Sequence, residues 1–289
     1  MKLRILVLGC KGMAGHIVKK YLENTLNYEV WGIARGVNTE KKLINLDVSN
    51  TKKLENILNK EAFDVVINCI GLLNKTAEDN PELAIWFNSY FPQLLASYGD
   101  KYNFKLIHIS TDCVFSGKEG GYKEDSFKNG TGFYAQSKAL GEVVNSKDLT
   151  IRTSIIGPEL KEDGIGLFHW FMSQTGTING YTGALWSGVT TIQLAKAINE
   201  AIIQELTGLY QLTNNTKICK YDLVSDLNRV FKSNEVKITP NSDYKIDKSL
   251  INSRKDFDYN IPIYVVMIEE MKEWMLSYSK FYGHYNLKK

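Results

Sequence analysis

The chain has 289 residues, of which 44% are hydrophobic and 23% charged, and its formal net charge is +3. These values are typical of a globular protein and argue against a disordered chain. A net charge this small, spread along the chain, excludes nucleic acid as the expected main partner. The four cysteines share no CxxC spacing and there are only four histidines, so we expect neither a metal site nor a disulfide framework.

The N-terminal sequence and the hydropathy of the chain indicate the expected subcellular location. The apolar run at Leu3–Leu8 ends at Gly9 without the small-residue cleavage site of a signal peptide. No stretch reaches the roughly 18 apolar residues that span a bilayer. We therefore expect a cytoplasmic protein that does not associate with a membrane and that consists of one large α/β body with a smaller lobe.

Short aliphatic runs alternate with longer helical patterns in the first half of the chain, which predicts a parallel sheet with crossover helices. The predicted strands are Leu3–Leu8, Glu29–Ile33, Asp64–Ile70, Lys105–Ser110 and Thr150–Thr153. The predicted helices between them are Met13–Leu26, Lys52–Asn59, Pro81–Tyr102 and Tyr134–Asn145. The strands show little polar alternation, as expected when helices cover both faces of a sheet. The fold class predicted is therefore α/β, with a doubly wound parallel sheet of the Rossmann type.

The pattern is less regular after Gly157. Residues 164–188 are rich in glycine, serine and threonine with interspersed aromatics, which indicates long loops over a concave surface. Further elements are predicted as a helix at Thr191–Gln204, a strand at Gly208–Thr213, and helices at Tyr221–Phe231 and Val265–Tyr278. We predict that residues 1–156 form a dinucleotide-binding domain to which 185–220 return, and that 157–184 and 221–289 form a smaller substrate-binding lobe.

A glycine-rich turn follows the first predicted strand and opens the first helix. Gly9, Gly12 and Gly15 have the spacing G-x-x-G-x-x-G, with Lys11 and Met13 between them. Glycines there allow a tight turn and a close approach to a pyrophosphate, which the helix N-terminus attracts. An ordinary strand-to-helix turn is the alternative, but the position at the start of an alternating β/α chain favours a dinucleotide site.

The end of the second strand bears on the choice of cofactor. An acidic residue there favours a free 2′-hydroxyl, whereas this chain has Arg35, which can pair with a 2′-phosphate. The sequence therefore favours NADPH and leaves NADH as the alternative. Asp47 and Val48 follow one connection later, where Asp47 could meet the adenine amino group. In the competing interpretation, Asp47 and Ser49 cap the helix that begins near Lys52.

The candidate catalytic group consists of Thr111, Tyr134 and Lys138. A spacing of four places Tyr134 and Lys138 on one helical face. An ammonium beside a phenol is expected to lower the phenol pKa and so to ease proton exchange with a carbonyl oxygen. Thr111 ends a predicted strand, at the sheet edge where ligands bind in open α/β folds. A Tyr and a Lys at this spacing also occur by chance on solvated helices. A catalytic role is favoured here because the glycine turn and Thr111 accompany the pair.

Several sequence motifs, and their order along the chain, resemble those of the extended short-chain dehydrogenases/reductases. Within that family they resemble the branch of the dTDP-4-dehydrorhamnose reductases. They cover roughly the first 160 residues and are Gly9 to Gly15, Val65 to Gly71, Ala77 to Glu82 with Asn88, Ser110 to Gly117, Tyr134 to Lys138 with Gly141 and Glu142, and Ile151 to Ser154. The resemblance implies hydride transfer from NAD(P)H to the C4 ketone of a nucleotide-linked 4-keto-6-deoxysugar, with Thr111, Tyr134 and Lys138 as the catalytic triad.

The resemblance also implies binding roles for other residues. The loop after the third predicted strand would lie by the cofactor and contains Asn68, Cys69, Ile70 and Gly71. We expect the substrate to meet the segment after Thr111 and one aromatic residue of the glycine-rich region, namely Asp112, Cys113, Val114, Phe115 and Trp186. In the alternative reading, Trp186 is a core residue. The expected partner is a nucleotide-diphosphate sugar, and a homodimer is left open.

Departures from the family pattern leave the substrate open. Family members usually carry an aromatic residue where Cys113 stands, and the segment from Trp186 replaces a Pro-Thr-Ser-type segment. The sugar could therefore be a UDP-linked 4-keto-6-deoxy-N-acetylhexosamine, and the reaction could be epimerisation or dehydration. A third alternative is a non-catalytic nucleotide-binding subunit, since the regulatory subunit of methionine adenosyltransferase resembles the same branch.

Overall fold

The computed structural model describes residues 2–287. Its strands, in chain order, are β1 Leu3–Leu8, β2 Tyr28–Ala34, β3 Leu43–Asn45, β4 Val65–Asn68, β5 Lys105–Thr111, β6 Leu149–Thr153, β7 Ile155–Ile156, β8 Thr177–Trp186, β9 Val189–Thr190, β10 Gly208–Gln211, β11 Ile218–Cys219 and β12 Lys237–Asp247. Its α-helices are α1 Met13–Glu23, α2 Thr51–Glu61, α3 Asn74–Asp79, α4 Pro81–Ala84, α5 Phe91–Tyr102, α6 Gly132–Leu140, α7 Leu167–Ser173, α8 Thr191–Ile203, α9 Lys220–Lys232 and α10 Tyr264–Ser277.

Seven strands form one parallel sheet in the order β10-β6-β5-β4-β1-β2-β3. The chain winds outward from β1 in both directions, with β2 on one side and β4 on the other. The predicted doubly wound α/β fold is confirmed. Ligands of such sheets bind beyond the carboxyl ends of the strands, at the point where the winding direction reverses. That point lies between β1 and β4, next to the glycine turn.

The central strands are buried on both faces, which explains why they lack polar alternation. In β1, Ile5 and Val7 belong to one hydrophobic core, whereas Leu6 and Leu8 belong to the core on the opposite face. All four side chains are fully buried. The first core is continuous with α1, α8 and the second lobe, and the other includes α2 and α5. Helices on both faces therefore hold the sheet edge that carries the candidate site.

The prediction of long loops over residues 164–188 is wrong. The structure has helix α7 and the ten-residue strand β8 there, and β8 is the centre of a three-stranded sheet in the order β11-β8-β12. The glycines serve close packing rather than looping: a Cβ on Gly180 would lie 2.8 Å from the Cα of Tyr221 in α9. Buried and exposed positions largely alternate along β8, a strand pattern that the glycine content obscured.

Residues 185–220 divide between the two sheets. Helix α8 packs against α1, and β10 is the outermost strand of the large sheet, next to β6. Leu185, Trp186 and β11 belong to the small sheet instead. The short strands β7 and β9 pair with each other. The predicted division of the chain into a dinucleotide-binding domain and a substrate lobe, with the boundaries given above, stays a prediction.

Two helices differ from their predictions, one in its helical geometry and the other in its length. The segment Pro81–Tyr102 is helical throughout, but its middle, Ile85–Tyr90, is a π-helix. Helix α6 begins at Gly132 and ends at Leu140, shorter than predicted at its C-terminal end. Within residues 2–287, no helix combines the length and the hydropathy that crossing a bilayer requires.

Candidate active site

The turn between β1 and α1 depends on glycines at three positions. Gly9 has φ +75°, a conformation that glycine adopts without strain. A Cβ on Gly15 would clash with the carbonyl group of Gly9, so α1 can approach the turn this closely only with glycine there. Gly12 precedes α1, and no described side chain caps the first-turn amides. Exposed Lys11 and half-buried Met13 flank it. The turn therefore fits the pyrophosphate of a dinucleotide.

The loop after β4 connects this turn to the catalytic helix. A Cβ on Gly9 would lie 2.9 Å from Cγ1 of Ile70 and 3.3 Å from the backbone carbon of Cys69. A Cβ on Gly71 would lie 3.8 Å from Nζ of Lys138. The glycine turn and the loop after β4 thus form one continuous wall that runs to Lys138.

Asn68, at the end of β4, fixes the shape of that loop. Its Oδ1 accepts a hydrogen bond from the backbone N–H of Ile70 at 3.1 Å, and its Nδ2 lies 3.2 Å from Nδ1 of His108. All of Asn68 and His108 is buried. A buried amide with these partners is rigid, and it holds the loop against the glycine turn.

Arg35 and Asp47 lie together at the end of β2, on the surface. Nη1 of Arg35 is 3.4 Å from Oδ2 of Asp47. Hydrogen bonds from Ser49, together with Arg35, hold the pKa of Asp47 below its usual value. Asn50 rather than Asp47 caps α2, so the alternative reading of Asp47 as the helix cap is wrong. Val48 is buried in the core, and any contact it makes with a cofactor would come from its backbone.

Glu78, in α3, holds the N-terminus of the helix that carries Tyr134 and Lys138. Its two carboxylate oxygens accept hydrogen bonds from the backbone N–H groups of Phe133 and Tyr134, each at 3.0 Å. The side chain of Thr131, which precedes α6, makes no capping hydrogen bond. A carboxylate at a helix N-terminus satisfies unpaired amides and interacts favourably with the helix dipole. Glu78 therefore fixes the backbone at Tyr134.

Thr111 organises the end of β5. Its Oγ1 donates to Oδ1 of Asp112 at 3.1 Å and accepts from the N–H of Cys113 at 3.1 Å. The same hydroxyl lies close enough to the Tyr134 phenol to lower the phenol pKa by hydrogen bonding. The two hydroxyls predicted to meet the reacting oxygen are therefore neighbours in the structure.

The pKa of Tyr134 departs from the prediction. Burial raises it above its ordinary value, nearby Cys113 and Asp112 raise it further, and the neighbouring Thr111 hydroxyl lowers it. The expectation that Lys138 lowers this pKa is wrong, because desolvation of the phenolate outweighs any attraction to the ammonium. Tyr134 is consequently protonated at neutral pH. A protonated phenol can donate a proton but cannot readily accept one.

Lys138 is buried beside the loop after β4. Its Nζ donates to the carbonyl oxygen of Ile109 at 2.7 Å. Burial lowers the pKa of Lys138 to about 8, against the opposing effects of Glu142 and Cys69. The ammonium is thus anchored to β5, and its proton can be lost at moderately alkaline pH.

Asn88, which belongs to the resemblance but has no predicted role, links the loop and α6. It lies fully buried in the π-helical segment, where its Oδ1 accepts from the N–H of Leu72 at 2.8 Å and its Nδ2 donates to the carbonyl of Leu72 at 3.0 Å. Nδ2 also lies 3.1 Å from Oγ of Ser137. A Cβ on Gly141 would clash with the backbone of Asn88, so α6 packs directly on this segment. A buried Asn in a π-helix could have suggested such a role.

A buried ion pair lies behind the catalytic strand. Arg152 contacts both carboxylate oxygens of Glu142, at 2.9 and 2.8 Å, and both side chains are 1% exposed. Oγ of Ser110 donates to the same carboxylate at 2.8 Å, and Lys128 lies 3.1 Å from it. The cluster joins β5, β6 and the end of α6, and so it fixes the residue immediately before Thr111.

Three predicted substrate residues do not present their side chains to a cleft. Val114 and Phe115 are buried, and the Phe115 ring stacks on Tyr122 with centroids 4.2 Å apart. Trp186 is 4% exposed and packs against Tyr264 in the core. In the structure these side chains support the segment after Thr111 and the end of β8, and a contact between any of them and the substrate stays a prediction. The core alternative for Trp186 fits the structure.

Asp112 and Cys113 differ from these three residues. Asp112 is buried, and burial raises its pKa. Cys113 is half-buried, and burial with the nearby Asp112 raises its pKa to about 11. At neutral pH the thiol is protonated and a poor nucleophile. Both groups adjoin Tyr134, so a substrate oxygen that meets Tyr134 would also lie near them.

The arrangement suits proton donation to an oxygen atom held between Thr111 and Tyr134. The glycine turn and the loop after β4 provide the dinucleotide cradle, and Lys138 lies at its inner end. Within residues 2–287, no group of three or more His, Cys, Asp or Glu side chains is placed to hold a metal ion.

Comparison with known proteins agrees with this geometry. The family model described as "RmlD substrate binding domain" matches residues 2–250. The chain is 30% identical over 161 residues to a probable low-salt glycan biosynthesis reductase of Haloferax volcanii, covering 52% of each chain. It is 31% identical over 160 residues to a dTDP-4-dehydrorhamnose reductase of Aggregatibacter actinomycetemcomitans, covering 52% of this chain and 51% of that one. The matches thus span about half the length of these curated relatives.

A solved structure extends the similarity in fold to nearly the whole chain. The dTDP-4-dehydrorhamnose reductase of Bacillus anthracis in complex with NADP superposes with a TM-score of 0.80, at 22% identity, over 94% of this chain and 99% of the other. At this identity the match shows the fold alone, the one that the motif resemblance predicted. Because the family model covers most of the sequence, the chain belongs to the RmlD substrate binding domain family, within the extended short-chain dehydrogenase/reductase fold.

Proposed function

We propose that this protein reduces the C4 ketone of a nucleotide-linked 4-keto-6-deoxysugar, with NADPH as the reductant. The observation that carries the proposal is the meeting of the Thr111 and Tyr134 hydroxyls, beside Lys138, at the end of a cradle that starts at the glycine turn. The curated reductases that match half of the chain support the same reaction class.

The residues of the chain would divide the work as follows. NADPH, when bound, would supply the hydride for the ketone carbon. Thr111 would turn its single hydroxyl proton from Oδ1 of Asp112 to the ketone oxygen and so orient it. Tyr134 would donate its proton to that oxygen as negative charge develops there. The raised pKa of Tyr134 favours this direction because the phenol is fully protonated at neutral pH. Lys138, anchored on Ile109, places a positive charge beside the site.

Exposed Arg35 supports NADPH over NADH. It directly follows β2 with its side chain 76% exposed, and within residues 2–287 its guanidinium makes one long contact, to Asp47. A guanidinium so placed can pair with a 2′-phosphate without first being freed from a buried partner. The exposed Lys11 of the glycine turn carries a second positive charge of the same cradle.

Two further proposals concern the setting of the reaction. We propose that the protein works in the cytoplasm, which four free cysteines support.

We also propose that it forms a homodimer through exposed apolar side chains on two neighbouring helical segments. These are Leu83, Ile85 and Tyr90 on one segment and Phe133 and Leu140 on α6. Light scattering would show a dimer for the wild type and a monomer for Leu140→Glu if this face forms the interface.

Product analysis tests the proposed reaction. The protein is incubated with NADPH deuterated at the transferable position and with 4-keto-6-deoxysugars linked to dTDP or to UDP, including the N-acetylated UDP sugar. The proposal predicts one deuterium on C4 of the product, seen by mass spectrometry and NMR. Isomerised product without net loss of NADPH would indicate an epimerase instead. Failure to reduce any member of the panel would refute the proposal.

A further inference from the structure

Lys220 reaches the candidate active site from the second lobe. It is the first residue of α9, and its Nζ lies 5.0 Å from the centroid of the Trp186 ring. The lysine is half-buried, and its ammonium is within electrostatic range of Asp112 and Cys113. One positive charge of α9 is therefore held near the segment that follows Thr111.

The ammonium of Lys220 has no acceptor among residues 2–287. Its contacts there are the Trp186 ring and longer-range attraction to Asp112 and Cys113, with no hydrogen bond or ion pair. Burial lowers the pKa of Lys220 to about 8, although those two residues oppose the shift. Nζ is not among the buried atoms without a hydrogen-bond partner in residues 2–287, so water still reaches this partly desolvated ammonium. An ammonium that water alone solvates can bind an anionic ligand without first breaking a contact within the protein.

The charges around Asp112 are also unbalanced. Lys248, which follows β12, lies within electrostatic range of Asp112 and Cys113, as Lys220 does. Two lysines thus share one buried carboxylate, and burial raises the pKa of that carboxylate. Asp112 receives its hydrogen bond from Thr111. The surroundings of the reacting position therefore carry an excess of positive charge.

We propose that Lys220 is a substrate-binding residue whose ammonium binds an anionic oxygen of the nucleotide sugar. That oxygen belongs to the diphosphate, because the 4-keto-6-deoxysugar of the proposed function carries no carboxylate at C6. The Trp186 ring holds the side chain in place through its face. The inference rests on the proposed function, because it takes the ligand at Thr111 to be a nucleotide sugar.

Matched variants isolate the charge. Lys220→Met keeps the length and the packing on Trp186 but removes the ammonium, and Lys220→Arg keeps the charge. Lys237→Met removes the charge of an exposed lysine on β12 of the same lobe and is the control. Because Lys220 makes no hydrogen bond or ion pair within residues 2–287 and methionine keeps the packing on Trp186, the melting temperature of Lys220→Met should be close to that of the wild type. Weaker binding by this variant therefore cannot be attributed to misfolding.

Calorimetric titration of each variant with dTDP, UDP, UDP-glucose and UDP-glucuronate, in the presence of NADP⁺, tests the contact with the diphosphate. The inference predicts that Lys220→Met weakens the binding of all four ligands by about tenfold. Lys220→Arg and Lys237→Met should bind as the wild type does. A loss confined to UDP-glucuronate would place the ammonium at the sugar instead of the diphosphate and would overturn the inference.

Equal binding of every ligand by the wild type and Lys220→Met would overturn the inference. So would a wild type that binds none of the four. A wild type that binds nucleotides but reduces no 4-keto sugar would refute the proposed function and leave the inference open to test. The ratio of the dissociation constants of Lys220→Met and the wild type would still decide the role of Lys220.

Discussion

The carboxylate of Glu78 lies 3.0 Å from the backbone nitrogen of Tyr134. A residue more than 50 positions away in the sequence thus fixes the start of the helix on which both Tyr134 and Lys138 depend. Removing this cap should displace the phenol without touching any reacting group.

We therefore expect Glu78→Ala to lower kcat by about tenfold and the free energy of unfolding by about 1 kcal/mol, the usual cost of a lost N-cap. Steady-state kinetics and urea denaturation measure the two effects. Asp79→Ala is the matched control, because Asp79 pairs with Lys75 and makes no hydrogen bond or ion pair with α6 within residues 2–287. Equal kcat values for Glu78→Ala and the wild type would show that α6 holds Tyr134 without this cap.

The pH dependence should report Lys138. Its pKa of about 8 lies well below the ordinary lysine value because of burial, so the ammonium is lost as the pH rises through that point. Tyr134 has a raised pKa and stays protonated over the same range. We predict that kcat is constant near neutrality and falls above about pH 8.

Lys138→Arg tests that assignment, since arginine keeps its proton at all accessible pH values. The residual activity of this variant should lack the decline near pH 8. A decline at the same pH in Lys138→Arg would assign the titration to another group.

The buried pair of Arg152 and Glu142 should matter for stability. Arg152→Met leaves Glu142 buried without its partner, and breaking a buried pair in this way costs about 3–5 kcal/mol. Urea denaturation measures the loss. Asp100→Asn, which breaks an exposed contact with Lys147, should cost about 1 kcal/mol or less. Similar losses for the two variants would mean that the buried pair is no more important than a surface contact.

The same pair predicts a direction for acid unfolding. Burial opposes ionisation of Glu142, but hydrogen bonds and charge from Arg152 overcome it and hold the pKa below the ordinary value. Stability from this group is therefore complete above the ordinary glutamate pKa and is lost as the pH falls through the lower, folded-state pKa. Arg152→Met should remove this part of the acid dependence.

Much of the large sheet could be predicted from the sequence because its signals are local. β1 ends in four consecutive aliphatic residues, β5 contains the aliphatic residues Leu106, Ile107 and Ile109, and the glycine turn between β1 and α1 has a fixed spacing. The catalytic trio could be predicted for the same reason, since Tyr134 and Lys138 share a helical face and Thr111 ends a strand. The family resemblance then supplied the order of the motifs.

The second lobe was harder because its packing is not local. The glycines of β8 resemble loop residues until the close approach of α9 at Gly180 is known. Trp186 looks like an exposed stacking residue in the sequence, but it is buried by Tyr264, some 80 residues later. Lys220 gave no signal at all, because its importance depends on neighbours in two other segments.

The preference for NADPH over NADH tests whether Arg35, which follows β2, pairs with the 2′-phosphate. Replacing the exposed guanidinium in Arg35→Ser should weaken NADPH binding by about tenfold, the value of one charge-assisted contact, and leave NADH binding nearly unchanged. Fluorescence titration of both cofactors measures the ratio. An unchanged preference would place the 2′-phosphate contact elsewhere, with Lys11 the first residue to examine.

The central claim is that Tyr134 donates the proton in a reduction that consumes NADPH. The direct measurement is the rate of NADPH oxidation with the dTDP- and UDP-linked 4-keto-6-deoxysugars, for the wild type and for Tyr134→Phe. The account predicts turnover by the wild type and a loss of about a hundredfold or more in kcat for Tyr134→Phe, with folding unchanged. Equal kcat for the two proteins, or no NADPH oxidation by the wild type with any of these substrates, would contradict it.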